Sequence, residues 1–461
     1  MKLLFVMYDN EGPKNSMPVG PCYVAAYAKE NGYGDIAYYS QDVYHYPEEH
    51  LTKYLDDNRF DVVGIGFCAG YFQLKKIKMI CDAIHKSKHR PFIVLGGHGP
   101  SPVPEFYIKY MGADATVSGD GELPFLNLVK ALENKTPLSK VKGISYRDGD
   151  KVVVNEREAA IKDLDSLPFP LYELLPMEYY LAAKLAGQSA TDRMIYLTPS
   201  RGCTYNCNFC QRLEPGIRLR SPGNIVEEIK KYKKDYNATF IHFVDELFML
   251  SKKRIYDLTE AFLKADLNIK YFCTGRLNIA DEEILGMMKR SGCAYIDYGI
   301  EQFDNAALAA MDKQQTEDDI IRGITATQKA GINIVFNIIF GNIGDTKKSL
   351  RKSIELLKKY NDYGQVRAIR PVTPYPGSPL YYYAIDKGLL KGPEDFYRKH
   401  TNLELPTVNF TSIPDKEFID LMFEANKEIL HDHYDHVRDE TIETFRKVYY
   451  EKDASFRGTR H

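Results

Sequence analysis

Short apolar runs alternate with amphipathic stretches through the first third of the chain. KLLFVMYD precedes the helix-like GPCYVAAYAKENG. DVVGIGF precedes YFQLKKIKMICDAIHKS, where apolar residues recur at three- and four-residue steps. PFIVLGG and ATVSGDGE follow, the second running into LPFLNLVKALEN. Strands separated by helices predict right-handed crossovers and a parallel, doubly wound, Rossmann-like α/β sheet over residues 1–140. Ligands of such sheets sit beyond the carboxyl ends of the strands. Here those ends carry residues 66–69, GGHGPSP (96–102) and SGDGE (118–122). Their glycines suit either close backbone approach to a nucleotide-like ligand or tight turns alone.

Residues 141–190 break the pattern. GISYRDGDKVVVNE reads as a hairpin around Asp148-Gly149, and DLDSLPFPLYELLP, with three prolines, as an extended linker. Alternation resumes at Met194. MIYLTP, TFIHFVD, IKYFCT, AYIDYGIE, INIVFNIIFG and QVRAIRPVT predict six strands with amphipathic helices between them. That is a partial (β/α)6 barrel over 191–388, with its chemistry at the C-terminal ends of the strands. From 389 to 461 the pattern is helical, its longest run being EFIDLMFEANKEILHDHYDHVRDETIETFRKVYYEK.

Length and composition narrow this picture little. A chain of 461 residues implies two or three domains. Lys plus Arg (61) nearly balance Asp plus Glu (63), which gives no argument for a nucleic-acid partner. No run approaches the roughly 18 apolar residues of a membrane span. MKLLFVMYDNEG reads as a first strand rather than a signal peptide. The eight cysteines are scattered apart from one triplet, as expected in a reducing cytoplasm.

That triplet lies in PSRGCTYNCNFCQR, as Cys203, Cys207 and Cys210. Structural zinc would take a fourth ligand, and disulfides an even number. Three thiolates on one loop can instead hold three irons of a [4Fe–4S] cube and leave the fourth iron open. Phe209 would shield the cluster, Gly202 would let the loop turn, and Arg201 would either balance the cluster's charge or form an ion pair.

C-x3-C-x2-C with an aromatic residue before the last cysteine resembles the radical S-adenosylmethionine (SAM) superfamily. The resemblance implies that SAM occupies the open iron through its amino and carboxylate groups, on the side that Phe209 covers. It also assigns SAM contacts to Asp245 and Glu246 in HFVDELF, Arg276 in CTGRLN, Glu301 in YGIEQ and Gly341 in IIFGNIGDT. In the last of these, Ile343 and Asp345 replace the usual Pro and Glu. MPVGPCYVAAYAKENGY (17–33), VLGGHGPSPVPE (94–105), VSGDGE (117–122) and DLDSLPFP (163–170) extend the resemblance to the subgroup with an N-terminal cobalamin (B12)-binding domain. Gly96, Gly97, His98, Ser118, Gly119, Gly121 and Glu122 are then expected around cobalamin. The D-x-H-x-x-G motif is missing, since His45 follows Asp42 by three residues with no glycine after it. Cys68, Tyr71 or Phe72 is therefore expected at the lower face of cobalt.

The resemblance implies a C-methyltransferase acting on an unactivated sp3 carbon through a 5′-deoxyadenosyl radical and methylcobalamin. The alternative is a cyclase, rearrangement or oxidation enzyme of the same architecture without net methyl transfer. Partners would be a donor such as ferredoxin or flavodoxin and a small-molecule or peptide substrate, with no catalytic general base required. His431, His433 and His436 read as part of a solvated polar helix rather than a metal site.

Overall fold

The computed structural model describes residues 1–11, 16–185 and 188–453. The first sheet contains β1 (Leu3–Met7), β2 (Ile36–Ser40), β3 (Val62–Gly66), β4 (Phe92–Gly96), β5 (Ala115–Val117), β6 (Ile144–Asp148) and β7 (Lys151–Val154), in the order β2-β1-β3-β4-β5-β6-β7. β1 to β5 pair in parallel, as expected. The predicted hairpin becomes β6 and β7 and extends this sheet with two antiparallel strands, of which β7 forms the edge. β1 is buried along its whole length because helices cover both of its faces. Leu3, Phe5 and Met7 join one core with helices Val19–Glu30 and Glu122–Glu133. Leu4 and Val6 join a second core with helices Glu48–Asn58 and Tyr71–His85. The edge strand β2 was not expected; its IAYYS run is only partly buried and carries a weak apolar signal.

All six expected barrel strands form. They are β8 (Met194–Leu197), β11 (Phe240–Phe243), β12 (Lys270–Gly275), β13 (Cys293–Glu301), β14 (Asn333–Phe340) and β15 (Ile369–Pro371), parallel and in the order β15-β14-β13-β12-β11-β8. Period two separates their faces. Ile296, Tyr298 and Ile300 of β13, like Ile334, Phe336 and Ile338 of β14, are buried in the core shared with the helices. Tyr295, Asp297, Val335 and Asn337 stay at least partly open on the other face. Between β8 and β11 stands an antiparallel ribbon that the sequence pattern did not predict, β9 (Ser200–Cys203) with β10 (Gly216–Leu219). Gly202, at φ 86°, permits the ribbon, since a Cβ there would lie 2.3 Å from the Gly216 carbonyl oxygen.

The C-terminal region divides between the two halves. Helix Pro379–Asp386 and helix Pro393–Lys399 pack on the N-terminal domain, where the hydroxyl of Tyr397 meets that of Tyr107. Helix Asp415–Tyr450 lays Phe418, Met422, Ala425 and Ile429 on the barrel. Asn426 bonds both backbone groups of Ile369 (2.8 and 3.0 Å), covering part of the edge strand β15. His433 is buried, and His436 stacks on Tyr363 at 3.6 Å. Among the described residues, no three His, Cys, Asp or Glu side chains group around a single ion site, and no helix is long and apolar enough to cross a membrane.

The ribbon joins the two domains. Arg201 grips Glu122 with both guanidinium nitrogens (2.6 and 3.1 Å) and reaches Asp120 at 3.2 Å. Arg218 holds Asp120 at 2.6 Å. Glu122 is buried, so removing it strands a cation at the seam. Glu122→Ala should destabilise the chain by about 3–5 kcal/mol in denaturant unfolding. The double variant Arg201→Met/Glu122→Leu should recover most of that loss. Equal loss in both variants would mean that the charge pair is not what matters there.

Candidate active site

The cysteine loop is pinned from five directions. Cys203 ends β9, and the Gly202 amide beside it donates to Glu246 Oε2 at 2.7 Å. Asn208 exchanges amide hydrogen bonds with the buried Asn342 after β14 (2.8 and 3.1 Å). Its backbone N–H donates to Met311 O at 3.0 Å, and its carbonyl accepts from Leu380 N at 2.8 Å. Gln211 Nε2 donates to His98 O, in the glycine loop after β4, at 2.5 Å. Cys207 is buried, Cys203 half-buried and Cys210 exposed.

Two buried cations lie against the thiols. Arg276, at the end of β12, brings Nη1 to 3.9 Å from Cys207 Sγ and stacks on Tyr205 at 3.6 Å. Lys313 Nζ lies 5.8 Å from the centre of the Phe209 ring. A hydrogen bond from Cys210, followed by the charges of Lys313 and Arg276, pulls the Cys207 thiol down to about 6. Cys210 is pushed up chiefly by donating that bond, and Cys203 by burial. An all-thiolate donor set beside buried positive charge fits an iron–sulfur cluster in which each cysteine holds a separate iron.

The strand ends frame this loop with carboxylates. Asp245, after β11, is buried; Oδ2 accepts from Ser200 Oγ at 2.5 Å and Oδ1 has no partner. Burial raises it to about 7. Glu301 ends β13 in the left-handed region (φ 66°) and pairs with Lys313 at 2.8 Å. The lack of a side chain at Gly299 allows this, since a Cβ there would lie 2.6 Å from Glu301 Oε1. Asp345 binds the amides of Gly341 and Asn342 (both 2.9 Å) and Gln302 Nε2 (2.9 Å), so it shapes the loop after β14. Arg276, expected beside the carboxylate of SAM, points at Cys207. Lys313, Ser200 and Asn342 were not singled out from the sequence, because no local motif marks them.

The glycine loops of the first sheet meet the cysteine loop. Gly96 ends β4 and Gly97 and His98 follow it, with Gly97 (φ 94°) tight against the Phe67 backbone, and burial holds the His98 imidazole low. Cys68 and Phe72 are exposed after β3, while the side chain of Tyr71 lies outside the described residues. His45 bonds Asp9 at 2.5 Å. The loop after β5 also reaches the barrel. Gly119 packs on Glu214 of the barrel, where a Cβ would meet Oε1 at 2.2 Å. Gly121 packs on Val24, and Glu122 is held by Arg201. Gly119 and Glu122 thus meet the barrel side, while Gly121 and Ser118, the latter through its amide to Gly143 O, pack within the first domain.

Asp245 generates a pH prediction. Its folded value of about 7 lies above the usual 3.8, so the native state retains a proton that the unfolded chain releases. The stabilisation is complete below about pH 4 and is lost as pH rises to about 7, by about 1.4 kcal/mol per unit at most. Asp245→Asn should flatten that slope relative to the parent in unfolding measured from pH 4 to 8. Parallel pH curves for the two proteins would count against a buried, protonatable Asp245.

Residues 13–129 match the B12 binding domain and residues 197–357 the Radical SAM superfamily. An uncharacterised methyltransferase of Pyrococcus horikoshii is 29% identical over 427 residues, covering 89% of each chain. The anaerobic magnesium-protoporphyrin IX monomethyl ester cyclase of Rubrivivax gelatinosus is 26% identical over 402 residues, 84% of this chain and 70% of that one. Among solved structures, the radical SAM methyltransferase TsrM of Kitasatospora setae, with cobalamin and a [4Fe–4S] cluster bound, superposes with a TM-score of 0.70 at 15% identity. That match covers 84% of this chain and 75% of TsrM, and it shows the shared fold. A B12-binding sheet followed by a cysteine-bearing partial barrel, matched along nearly its whole length by a methyltransferase, places this chain in the cobalamin-binding, methyltransferase-like family of radical SAM enzymes.

Proposed function

We propose that the chain is a cobalamin-dependent radical SAM C-methyltransferase acting on an unactivated sp3 carbon. The observation that carries this is the contact of Gln211, next to Cys210, with His98 in the glycine loop of the B12-binding domain. That contact would bring the two cofactor sites to one seam, as transfer between them requires. When bound, the cluster supplies the electron that cleaves SAM, and cobalamin carries the methyl group.

The chain's own residues do the positioning. Cys203, Cys207 and Cys210 would hold the cluster. The free oxygen of Asp245 would receive the amino group of SAM, and Glu301 with Lys313 closes the side next to Phe209. Gly96, Gly97 and His98 would approach cobalamin, with Cys68 and Phe72 exposed after the neighbouring strand β3. Tyr196, Thr274, Tyr295, Asp297 and Asn337 leave the barrel's inner face partly open to a substrate. His242, wedged between Tyr196 and Phe272, closes its lower layer. The reductant would be a donor such as ferredoxin or flavodoxin, and the free cysteines of the described residues support a reducing compartment such as the cytoplasm. The cyclase of Rubrivivax gelatinosus supports a second reading, ring closure or oxidation without methyl transfer.

Anaerobic reconstitution with iron, sulfide and cobalamin, followed by SAM and a strong reductant, tests the first reading. The parent should bind one cobalamin per chain, methylate it and release 5′-deoxyadenosine. Cys207→Ala should lose cluster iron and deoxyadenosine while still binding cobalamin. Asp245→Asn should weaken SAM binding about 10–100-fold in equilibrium dialysis, the value of one charge-assisted hydrogen bond. Deoxyadenosine formed by a protein that takes up no cobalamin would sink the methyltransferase reading in favour of the second.

A further inference from the structure

We infer that Arg276 is the charge partner of Cys207 and sets the reduction potential of the cluster, a role that rests on the cluster reading above. Its guanidinium is buried at the end of β12. Nη1 lies 3.9 Å from Cys207 Sγ, and Nη2 donates to the Lys313 carbonyl. Nε is buried without a partner. Among the described residues, no carboxylate lies within ion-pair distance of Arg276. Lys313 differs, because Glu301 neutralises it at 2.8 Å. Arg276 is thus a permanent positive charge in a dry site, and a guanidinium does not escape the cost by losing its proton. Such a group needs a buried anion to offset its desolvation. Among the described residues, the anion-forming group within reach of its nitrogens is the sulfur beside it.

The loop that carries the thiols also aims the cation. Tyr205, between Cys203 and Cys207, lies flat under the guanidinium at 3.6 Å. Asn278 Nδ2 steadies the Tyr205 hydroxyl at 3.4 Å. Stacking fixes the plane of the fork while the Lys313 carbonyl fixes its far end, so Nη1 is left facing sulfur. Hydrogen bonds to cluster sulfurs and nearby positive charge both favour the more reduced, more negative cluster. Arg276 therefore acts through Cys207 as a positioning residue and does not touch substrate.

The test uses the full-length reconstituted protein without SAM, read by iron content and by an EPR-monitored reductive titration. Arg276→Gln keeps a donor but removes the charge. It should retain the iron of the parent, and at the parent's midpoint its ratio of reduced to oxidised cluster should fall at least tenfold. For a one-electron couple that is a shift of about 59 mV to more negative potential. Arg276→Lys should keep the midpoint close to the parent's. If Arg276→Gln takes up no iron, Arg276→Lys must restore both iron and midpoint, and a failure to do so overturns the inference. An unchanged midpoint in Arg276→Gln with weakened SAM binding would also overturn it, by giving the guanidinium to the carboxylate of SAM. Absence of cluster iron from the parent itself would instead sink the cluster reading, which separates the two failures.

Discussion

The placement of the cysteine loop depends on the buried pair between Arg201 and Glu122. Arg201 and Cys203 are two residues apart on β9, so they share a face of the ribbon and move together. Fixing the guanidinium against the loop after β5 therefore fixes Cys203 against the B12-binding domain. A buried ion pair contributes little net stability compared with apolar packing, but it penalises every arrangement that breaks it. An apolar seam would tolerate sliding by an ångström or two. Two arginines and two carboxylates, at 2.6 to 3.2 Å, would not.

The same economy of charge distinguishes the acidic residues at the strand ends. Glu301 is neutralised by Lys313, Asp345 binds the turn after β14, and Glu246 gives one oxygen to the Gly202 amide. Each of these carboxylates has a partner within the protein. Asp245 alone among the four holds a buried oxygen with none, and burial raises its proton affinity for that reason. A ligand ammonium would supply what the site lacks. The preference for Asp245 as the SAM contact thus comes from an unmet hydrogen-bonding requirement, and not from its place in a motif.

Much of the architecture was legible in the sequence because it is written in short-range patterns. Period-two strands, three- and four-step helices and the cysteine spacing are each contained within a few tens of residues. All six barrel strands appear where the apolar runs put them. What escaped depends on partners distant in the chain. β10 is recognisable only through its pairing with β9, and β2 only as the half-exposed edge of a sheet. The partner of Glu122 in SGDGE, 79 positions away, is likewise visible only in the fold. Glycine in a loop shows that something approaches closely, and Gly119 shows that this can be a neighbouring domain's side chain. Lys313 sits in a turn of ordinary composition, and only the fold brings it to Glu301.

The C-terminal segment closes the circuit between the halves. Its first helices pack on the helix Pro104–Met111 of the B12-binding domain, and its long helix packs on β15 at the free edge of the barrel. A partial barrel with an uncovered edge would expose unpaired backbone groups, and Asn426 occupies two of them at Ile369. Phe418 packs so closely on Gly341 that a Cβ there would lie 2.8 Å from its ring, so this helix also sets the loop that Asp345 shapes. The barrel is thereby braced on both flanks, by the ribbon beside β8 and by the helix beside β15. The open face that remains is the lumen between them, where radical chemistry can be kept from water only by the substrate and cofactors that fill it.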